Sequence, residues 1–494
     1  MMRLANLSFA AILLVLCAAC MTVGPDYEPP VSETPDAWNT TAVAGLVDGE
    51  ASLQTWWSVF GDATLEQLIA RAQTANLDIE GALWRVEEAR AMRGVAAGAR
   101  MPQVAASGSS YRQQASDNGV PPAPEGGYDS VTLHDVGADA SWEIDLFGRI
   151  RRSVEAADAN LDVTTETYRD VLVSVFSEVA LSYMDLRSAQ ERLHLGRVNV
   201  KSQQETLQLT QDRFDAGLVS ALDVAQAQSN LANTESLIPT LEIFIERSLN
   251  RLAVLLGEAP GALHEELSKK SSLPEEPRGV TVGLPADLLR QRPDVRRAER
   301  ELAAQTALIG VATADLYPSF SLSGFLGFQA TDAGDLLSGS SLTWGVGLPI
   351  RWNIFSGGRI RSQIRVEEAR TEQALTRYEQ TVLHALEEVE NAMVAYEKEN
   401  LRRDRLRASV AATQRSLELV LTQYRAGLAD FQNVLDTQRS LLVRQDDLAT
   451  SEGEVLKNLV VLYRALGGGW DPEGVPPSPA AHGAVEAEED GSRE

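Results

Sequence analysis

Most of this chain is written twice. GVAAGARMPQV at 94–104 returns as GVATADLYPSF at 310–320, a displacement of 216 residues. LFGRIR at 146–151 then returns within FSGGRIR at 355–361, so that Arg149, Ile150 and Arg151 map to Arg359, Ile360 and Arg361, a displacement of 210. The same 210 relates Ala216-Gly217-Leu218 to Ala426-Gly427-Leu428, Val224 to Val434, Gln228 to Gln438 and Leu256-Gly257 to Leu466-Gly467. One displacement held from residue 146 to residue 257 marks a duplicated structural unit, with six extra residues (216 − 210) between Pro102 and Trp142 of the first copy. Whatever fold is assigned, the chain must build it twice.

Each copy repeats one order of elements. A helix opens it, over roughly 63–100 in the first copy and 294–316 in the second. Asp62 and Thr64 give start signals, with Gln67 three residues after Thr64 as in a capping box, and Pro293 and Asp294 suit a first helical turn. Pro102 and Pro318 end these helices. Strands come next. Val136, Ala138, Ala140, Trp142, Ile144 and Leu146 alternate with polar or small residues, as do Leu342, Trp344, Val346, Leu348, Ile350 and Trp352. A period of two with one apolar face suits a strand between lipid and water. Phe320, Leu322, Leu326 and Phe328 supply a partner strand, and its counterpart near Val104–Tyr111 alternates less cleanly.

Very long helices follow, with no proline between Arg151 and Gly217 or between Arg361 and Gly427. Leu172, Phe176, Val179, Tyr183 and Leu186, and likewise Tyr378, Val382, Ala385, Val389, Ala392 and Tyr396, stand at coiled-coil intervals broken by polar positions such as Gln190 and Arg197. About 66 residues at 1.5 Å each make a rod of ~100 Å. The heptad character resumes after each Ala-Gly-Leu, so each copy contains a helical hairpin turning at Gly217 or Gly427. The expected layout is a signal peptide at 1–19, an extended segment at 20–62, a first repeat at 63–257, a Pro/Gly-rich linker at 258–292, a second repeat at 293–470 and a disordered acidic tail at 471–494.

Targeting is written in the first twenty residues. Arg3, the apolar stretch Phe9–Leu16 and the small pair Ala18-Ala19 before Cys20 read as a secretory signal with a lipoprotein site, Cys20 becoming the acylated first residue. Met21 follows, where an Asp would favour inner-membrane retention, so the outer membrane is expected. Cys17 and Cys20 are the only cysteines, which leaves the mature chain without an intramolecular disulfide. No later apolar run reaches the ~18–20 residues of a spanning helix, so insertion must use strands or lipid. A net charge of −26 argues against nucleic acid, whose phosphates need a basic footprint.

Four strands cannot close a membrane barrel, because an open edge in lipid leaves backbone groups unpaired at several kcal/mol each. Protomers must share one, two chains giving eight strands and three giving twelve. At this point the chain closely resembles the TolC-like outer membrane factors, in particular their OprM/NodT-type lipoprotein branch. The resemblance is carried by CMTVGPDYEPP at 20–30, WWSVFGDATLEQLI at 56–69, LPADLLRQRPDVRRAERELAAQ at 284–305, RFDAGLVSALDVAQAQ at 213–228 and YRAGLADFQNVLDTQRSLL at 424–442. It implies a mainly α fold with a transmembrane β-barrel: a homotrimer whose strand pairs close a twelve-stranded barrel above a helical periplasmic tunnel. The implied role is the outer-membrane channel of a tripartite efflux or export system, joined to a periplasmic adaptor and an inner-membrane pump. A lipid-anchored coiled-coil spacer without a pore is the alternative.

The resemblance also places the positions of Asp436 and Arg439 at a periplasmic constriction and suggests an inter-helix link from Asp223 toward Tyr424. Ala429 stands where some relatives carry a basic residue. Gly217-Leu218 and Gly427-Leu428, at the tips, are the candidate adaptor contacts; glycine there also makes the turn, but turning alone gives no reason for an exposed leucine. No cofactor is expected beyond the lipid on Cys20. The five histidines are scattered without metal-ligand pairs at helical spacing, and no G-x-S-x-G or P-loop pattern occurs, so neither a metal site nor a catalytic site is expected.

Overall fold

The computed structural model describes residues 22–31, 35, 37–39, 46–48, 53–120, 124–125, 127–277, 280–282, 291–471 and 474. The expected signal segment, Cys20 and nearly all of the expected tail lie outside the described residues. In chain order the elements are β1 (Leu46–Asp48), α1 (Ala63–Ala75), α2 (Leu77–Gly98), β2 (Gln103–Gln113), β3 (Val131–Ile144), α3 (Arg149–Asp215), α4 (Ala221–Glu235), α5 (Leu237–Leu255), α6 (His264–Leu267), β4 (Val280–Val282), α7 (Pro293–Ala314), β5 (Ser319–Ala330), β6 (Leu342–Gly347), β7 (Ile350–Arg351), α8 (Arg359–Arg425) and α9 (Phe431–Ala465). They form two compact units: residues 1–30, 88–163 and 298–378, and residues 31–87, 164–297 and 379–494.

The first unit holds the sheet, in the order β2-β3-β5-β6 with β7 also on β5. β2 pairs antiparallel with β3 from Gln103↔Ser141 to Gln113↔Val131, and β3 with β5 from His134↔Ala330 to Ile144↔Phe320. The strand pairs of the two copies are thereby joined into one sheet through β3 and β5. The expected strand over Leu342–Trp352 is two segments, because Pro349 has no N–H to give to the ladder. Its carbonyl still accepts from Ser321 N at 3.1 Å, so the strand position is kept. β3 ends at Ile144 rather than Leu146 because the Asp145 carboxylate accepts from Ile150 N and Arg151 N, at 3.0 and 2.9 Å, and so starts α3.

An unbroken register fixes the faces. Val104, Ala106, Val136, Ala138, Trp142, Phe320, Leu322, Leu326, Phe328, Leu342, Trp344, Val346 and Ile350 share one side, which is apolar and largely exposed in the single chain. Ser107, Ser109, Asp135, Asp139, Ser141, Glu143, Ser321, Ser323 and Thr343 share the other. Ser109 Oγ donates to Asp135 at 2.6 Å and Ser107 Oγ to Asp139 at 3.4 Å across that polar face. Trp142 and Trp352, which the duplication pairs, each donate an indole N–H at 3.0 Å to a carbonyl in the turn just past the preceding helix, Arg100 O and Leu316 O.

The N-terminal segment is tied to the same unit. Arg152, nearly buried, donates to Val23 O, Gly24 O and Asp26, at 3.1, 3.3 and 2.7 Å. Tyr27 packs on Ala159, Ala303 and Ala304, and its hydroxyl donates to Glu299 at 3.1 Å. Burial, with Glu299 alongside, raises the Tyr27 pKa. Gly24 has φ +90 and lies so close to Gly310 that a Cβ would sit 2.4 Å from its Cα, so no other residue fits there.

The second unit is built on helices. The helix expected over 63–100 is two, α1 and α2, because the Asn76 side chain accepts from Asp78 N and Ile79 N and donates to Leu255 O, at 2.9, 3.0 and 2.8 Å. The N-cap of α1 is Asp62, which accepts from Thr64 N and Leu65 N, rather than a Thr64–Gln67 box. α3 and α8 each run 67 residues, as the repeat demands, and belong to this unit from residues 164 and 379 onward. Leu172, Phe176, Val179, Tyr183 and Leu186 are buried, and so are Val382, Ala385, Val389, Ala392 and Tyr396. Each large apolar side chain among them contributes ~1.5–3 kcal/mol. Gln190, a polar break in the heptads, is buried and donates to Leu267 O at 2.7 Å, while Arg197 meets Glu242 on the surface at 2.9 Å. Part of the expected linker is therefore packed: Leu263 and Leu267 are buried, and Glu276 accepts from Tyr396 at 2.9 Å. β4 pairs in parallel with β1.

Candidate functional site

Both hairpins turn by the same chemistry. Leu218 N donates to Arg213 O at 2.9 Å and Gly217 N to Phe214 O at 2.8 Å, which is the Schellman pattern. Leu428 N and Gly427 N repeat it on Gln423 O and Tyr424 O, at 2.8 and 3.0 Å. Gly217 and Gly427 have φ of 70 and 73, where a Cβ is strained, so glycine is required at both. The leucine following each glycine is exposed, Leu218 at 66% and Leu428 at 80%.

The return helices start differently. Ser220 caps α4 in a capping box with Asp223, whose carboxylate accepts from Ser220 N at 3.0 Å. Asp430, the N-cap of α9, makes no side-chain cap bond. Behind the turns Ala227, Tyr424, Phe431, Val434 and Leu435 form a buried cluster, with the Tyr424 and Phe431 rings 5.4 Å apart.

The expected link between Asp223 and Tyr424 is not formed within the chain. Asp223 is engaged by Ser220, and the Tyr424 hydroxyl is buried without a hydrogen-bond partner among the described residues. The group that reaches Tyr424 is Arg213. Its Nη1 donates to Tyr424 O and Arg425 O, at 2.9 and 3.1 Å, and its guanidinium lies 4.8 Å from the Tyr424 ring centre. A cation from the first hairpin thus satisfies the last carbonyls of α8, where the helix dipole is negative. Sequence reasoning missed Arg213. A signal was available: its counterpart in the second copy, 210 residues on, is Gln423.

Asp436 and Arg439 are both exposed, but they do not pair with each other. Asp436 accepts from Gln432 Nε2 at 2.9 Å, one turn earlier, and Arg439 Nε donates to Asn230 Oδ1 on α4 at 3.0 Å. Away from the tip, polar bonds continue between α3 and α9: Gln438 to Thr206 at 2.8 Å, Asn199 to Gln445 at 2.7 Å and Arg192 to Asp446 at 2.7 and 3.0 Å.

The RPDVRRAE stretch is held by buried polar contacts. Arg292, nearly buried, donates to Ala465 O and, through two nitrogens, to Asp294, at 2.7, 3.0 and 2.7 Å. Burial alone would raise the Asp294 pKa, but the Arg292 guanidinium overrides it and holds the carboxyl below its usual value. Arg296 and Arg169 share buried Glu166, at 2.9 and 2.7 Å, and flank the Trp470 ring.

This geometry recurs in known proteins. The family model described as "Outer membrane efflux protein" matches residues 68–258 and again 284–468, once over each copy. Nodulation protein T of Rhizobium leguminosarum bv. trifolii is 33% identical, over 93% of this chain and 96% of its own length. The pyoverdine export outer membrane protein OpmQ of Pseudomonas aeruginosa is 31% identical, over 92% of this chain and 97% of its own. A solved structure of the outer-membrane channel OprN superimposes with a TM-score of 0.85 at 38% identity, covering 91% of this chain and 99% of that one. The duplicated strand pair and helical hairpin are thus the unit of an outer-membrane channel tunnel. The chain belongs to the outer membrane efflux protein family, as an outer-membrane channel component that extends into the periplasm.

Proposed function

We propose that three copies close one twelve-stranded barrel and that the trimer, anchored by lipid on Cys20, is the exit duct of a tripartite export system. The observation that carries this reading is the sheet: one face is apolar and exposed, the other carries the acids and hydroxyls together with Tyr111, Val131, Leu133 and Phe325, and among the described residues the edges of β2 and β6 are open for a neighbour. Paired strands remove the unsatisfied edge groups that lipid would penalise. The apolar face then meets lipid, and the face with Asp135 and Asp139 lines water.

A periplasmic adaptor, itself joined to an inner-membrane pump, docks on Gly217-Leu218 and Gly427-Leu428. Solvent-exposed leucines on a shared turn favour such a partner. Threefold symmetry brings the three exposed Asp436 carboxylates around one axis, where they bind cations and narrow the passage. Asp223 and the buried, unpartnered Tyr424 hydroxyl hold the closed state through a neighbouring copy rather than within the chain. The duct moves cargo without chemistry of its own.

Planar-bilayer recording tests the reading. Unitary current steps are expected, with block by multivalent cations from the periplasmic side that Asp436→Ala weakens. Membranes that incorporate the protein and carry no unitary steps would overturn the duct; unchanged block would remove Asp436 from the constriction.

A further inference from the structure

Phe325 stands apart from its surroundings on the side of the sheet that carries Asp135 and Asp139. There β3 presents Gly137, Asp139 and Ser141, and β5 presents Ser321, Ser323, Phe325 and Gly327. The register puts Phe325 directly across from Asp139 on one flank and from Gly345 of β6 on the other. A phenyl ring among glycines and hydroxyls gains from the hydrophobic effect only where something covers it.

Gly345 gives the ring its place. A Cβ there would lie 2.6 Å from Phe325 Cε1 and 3.0 Å from Cζ, so the ring edge fills the space that any other residue would need. That contact covers only part of the ring, since Phe325 remains 48% exposed. Asp139 leans the opposite way, its carboxylate accepting from Ser107 Oγ on β2 at 3.4 Å. A cavity of about 550 Å³ opens here, with Asp139, Ser141, Ser323, Phe325, Gly345 and Gly347 in its lining. These six alternate onto one face of the sheet, and Trp142 and Trp344 of the other face do not line it.

We infer that this cavity binds an organic cation with an aromatic or other apolar body, of the arylalkylammonium class. The Asp139 carboxylate attracts the ammonium, and the π electrons of Phe325 attract it from the facing strand. Side chains directly opposite each other start about 5 Å apart, so one cation reaches both. The apolar body covers the part of the ring that Gly345 leaves bare. An anion is repelled by Asp139, and a neutral aromatic makes no use of the carboxylate. The inference rests on the proposal that this face lines the aqueous duct, and it gives that duct a cargo preference of its own.

Cysteine protection tests it on the full-length protein in proteoliposomes, with a membrane-impermeant anionic methanethiosulfonate as reagent and the unsubstituted protein as background. The thiol of Ser323→Cys should react from water, and that of Val346→Cys, on the opposite face, should not. At constant ionic strength benzyltrimethylammonium should slow the reaction at 323, whereas phenylacetate, benzyl alcohol and magnesium should not. Adding Phe325→Leu or Asp139→Asn should raise the concentration that gives half-protection at least about threefold. Both exchanges nearly conserve side-chain size, and native mass spectra check that the variants assemble as the parent does. Unchanged half-protection in either variant would overturn the proposal. Equal protection by magnesium would reduce the site to a bare carboxylate, and equal protection by benzyl alcohol to an apolar patch; either result overturns the organic-cation site. A thiol that stays unreactive at 323 while the one at 346 is modified would refute the assignment of this face to water, and the site with it.

Discussion

The two hairpin tips share a backbone and differ in how they are secured. Each ends in Ala-Gly-Leu, closes with the same pair of backbone hydrogen bonds and places glycine at a positive φ. The first tip then caps itself through Ser220 and Asp223. The second has an idle Asp430 and relies on Arg213, borrowed from the first. The return helices differ too. α9 is continuous, whereas α4 and α5 are separate helices with Pro239 in the first turn of α5, where the second copy has Ala449. The junctions of strand and long helix show the same contrast, with acids pairing with Arg149 and Arg151 but none pairing with Arg359 and Arg361 among the described residues. What backbone geometry requires is repeated in both copies. What side chains alone supply is satisfied locally in the first copy and left to other elements in the second.

Arg213→Ala should separate the two tips most strongly. It removes charged hydrogen bonds to Tyr424 O and Arg425 O, and a bond of that kind contributes about 1.5–3 kcal/mol. Amides near the end of α8 should exchange faster by one to two orders of magnitude, roughly that energy, while those ending α3 change little. Equal acceleration in both hairpins would show that the dependence is not one-sided. Gly217→Ala and Gly427→Ala should each cost about 1–2 kcal/mol, and equally, because a Cβ at either position meets only strain and no close neighbour. A large difference between them in thermal unfolding would mean the turns are not equivalent. The smallest effect separates the caps: Ser220→Ala should cost about 1 kcal/mol, whereas Asp430→Ala should leave stability unchanged. A matching loss for Asp430→Ala would contradict the idle cap.

Much of this was legible in the sequence because repetition amplifies weak signals. The displacement of 210 located both turns, both 67-residue helices and both strand pairs. The heptad positions Phe176, Val179, Tyr183 and Val389 are buried because coiled-coil spacing dictates which face is covered. Breaks inside elements were harder to read. Asn76 splits a helix through a bond to Leu255 O, a partner remote in sequence, and Pro349 interrupts a strand whose alternation runs straight through it. The tip was half legible: Gly217, Leu218, Gly427 and Leu428 declare themselves by repetition, but the Arg213 clasp depends on two hairpins meeting. The pairing of Arg439 with Asn230 in place of Asp436 was hidden for the same reason, since spacing along one helix does not reveal a better acceptor on the next.

Assembly follows from a sheet that is incomplete within one chain. Four strand positions whose β2 and β6 edges are free among the described residues cannot survive in lipid alone. Native mass spectrometry of the full-length protein released from lipid nanodiscs measures the number of chains per particle. Three chains are expected, with no monomer that retains the strand content of the assembly. A stable monomer with that strand content, inserted in the bilayer, would contradict it.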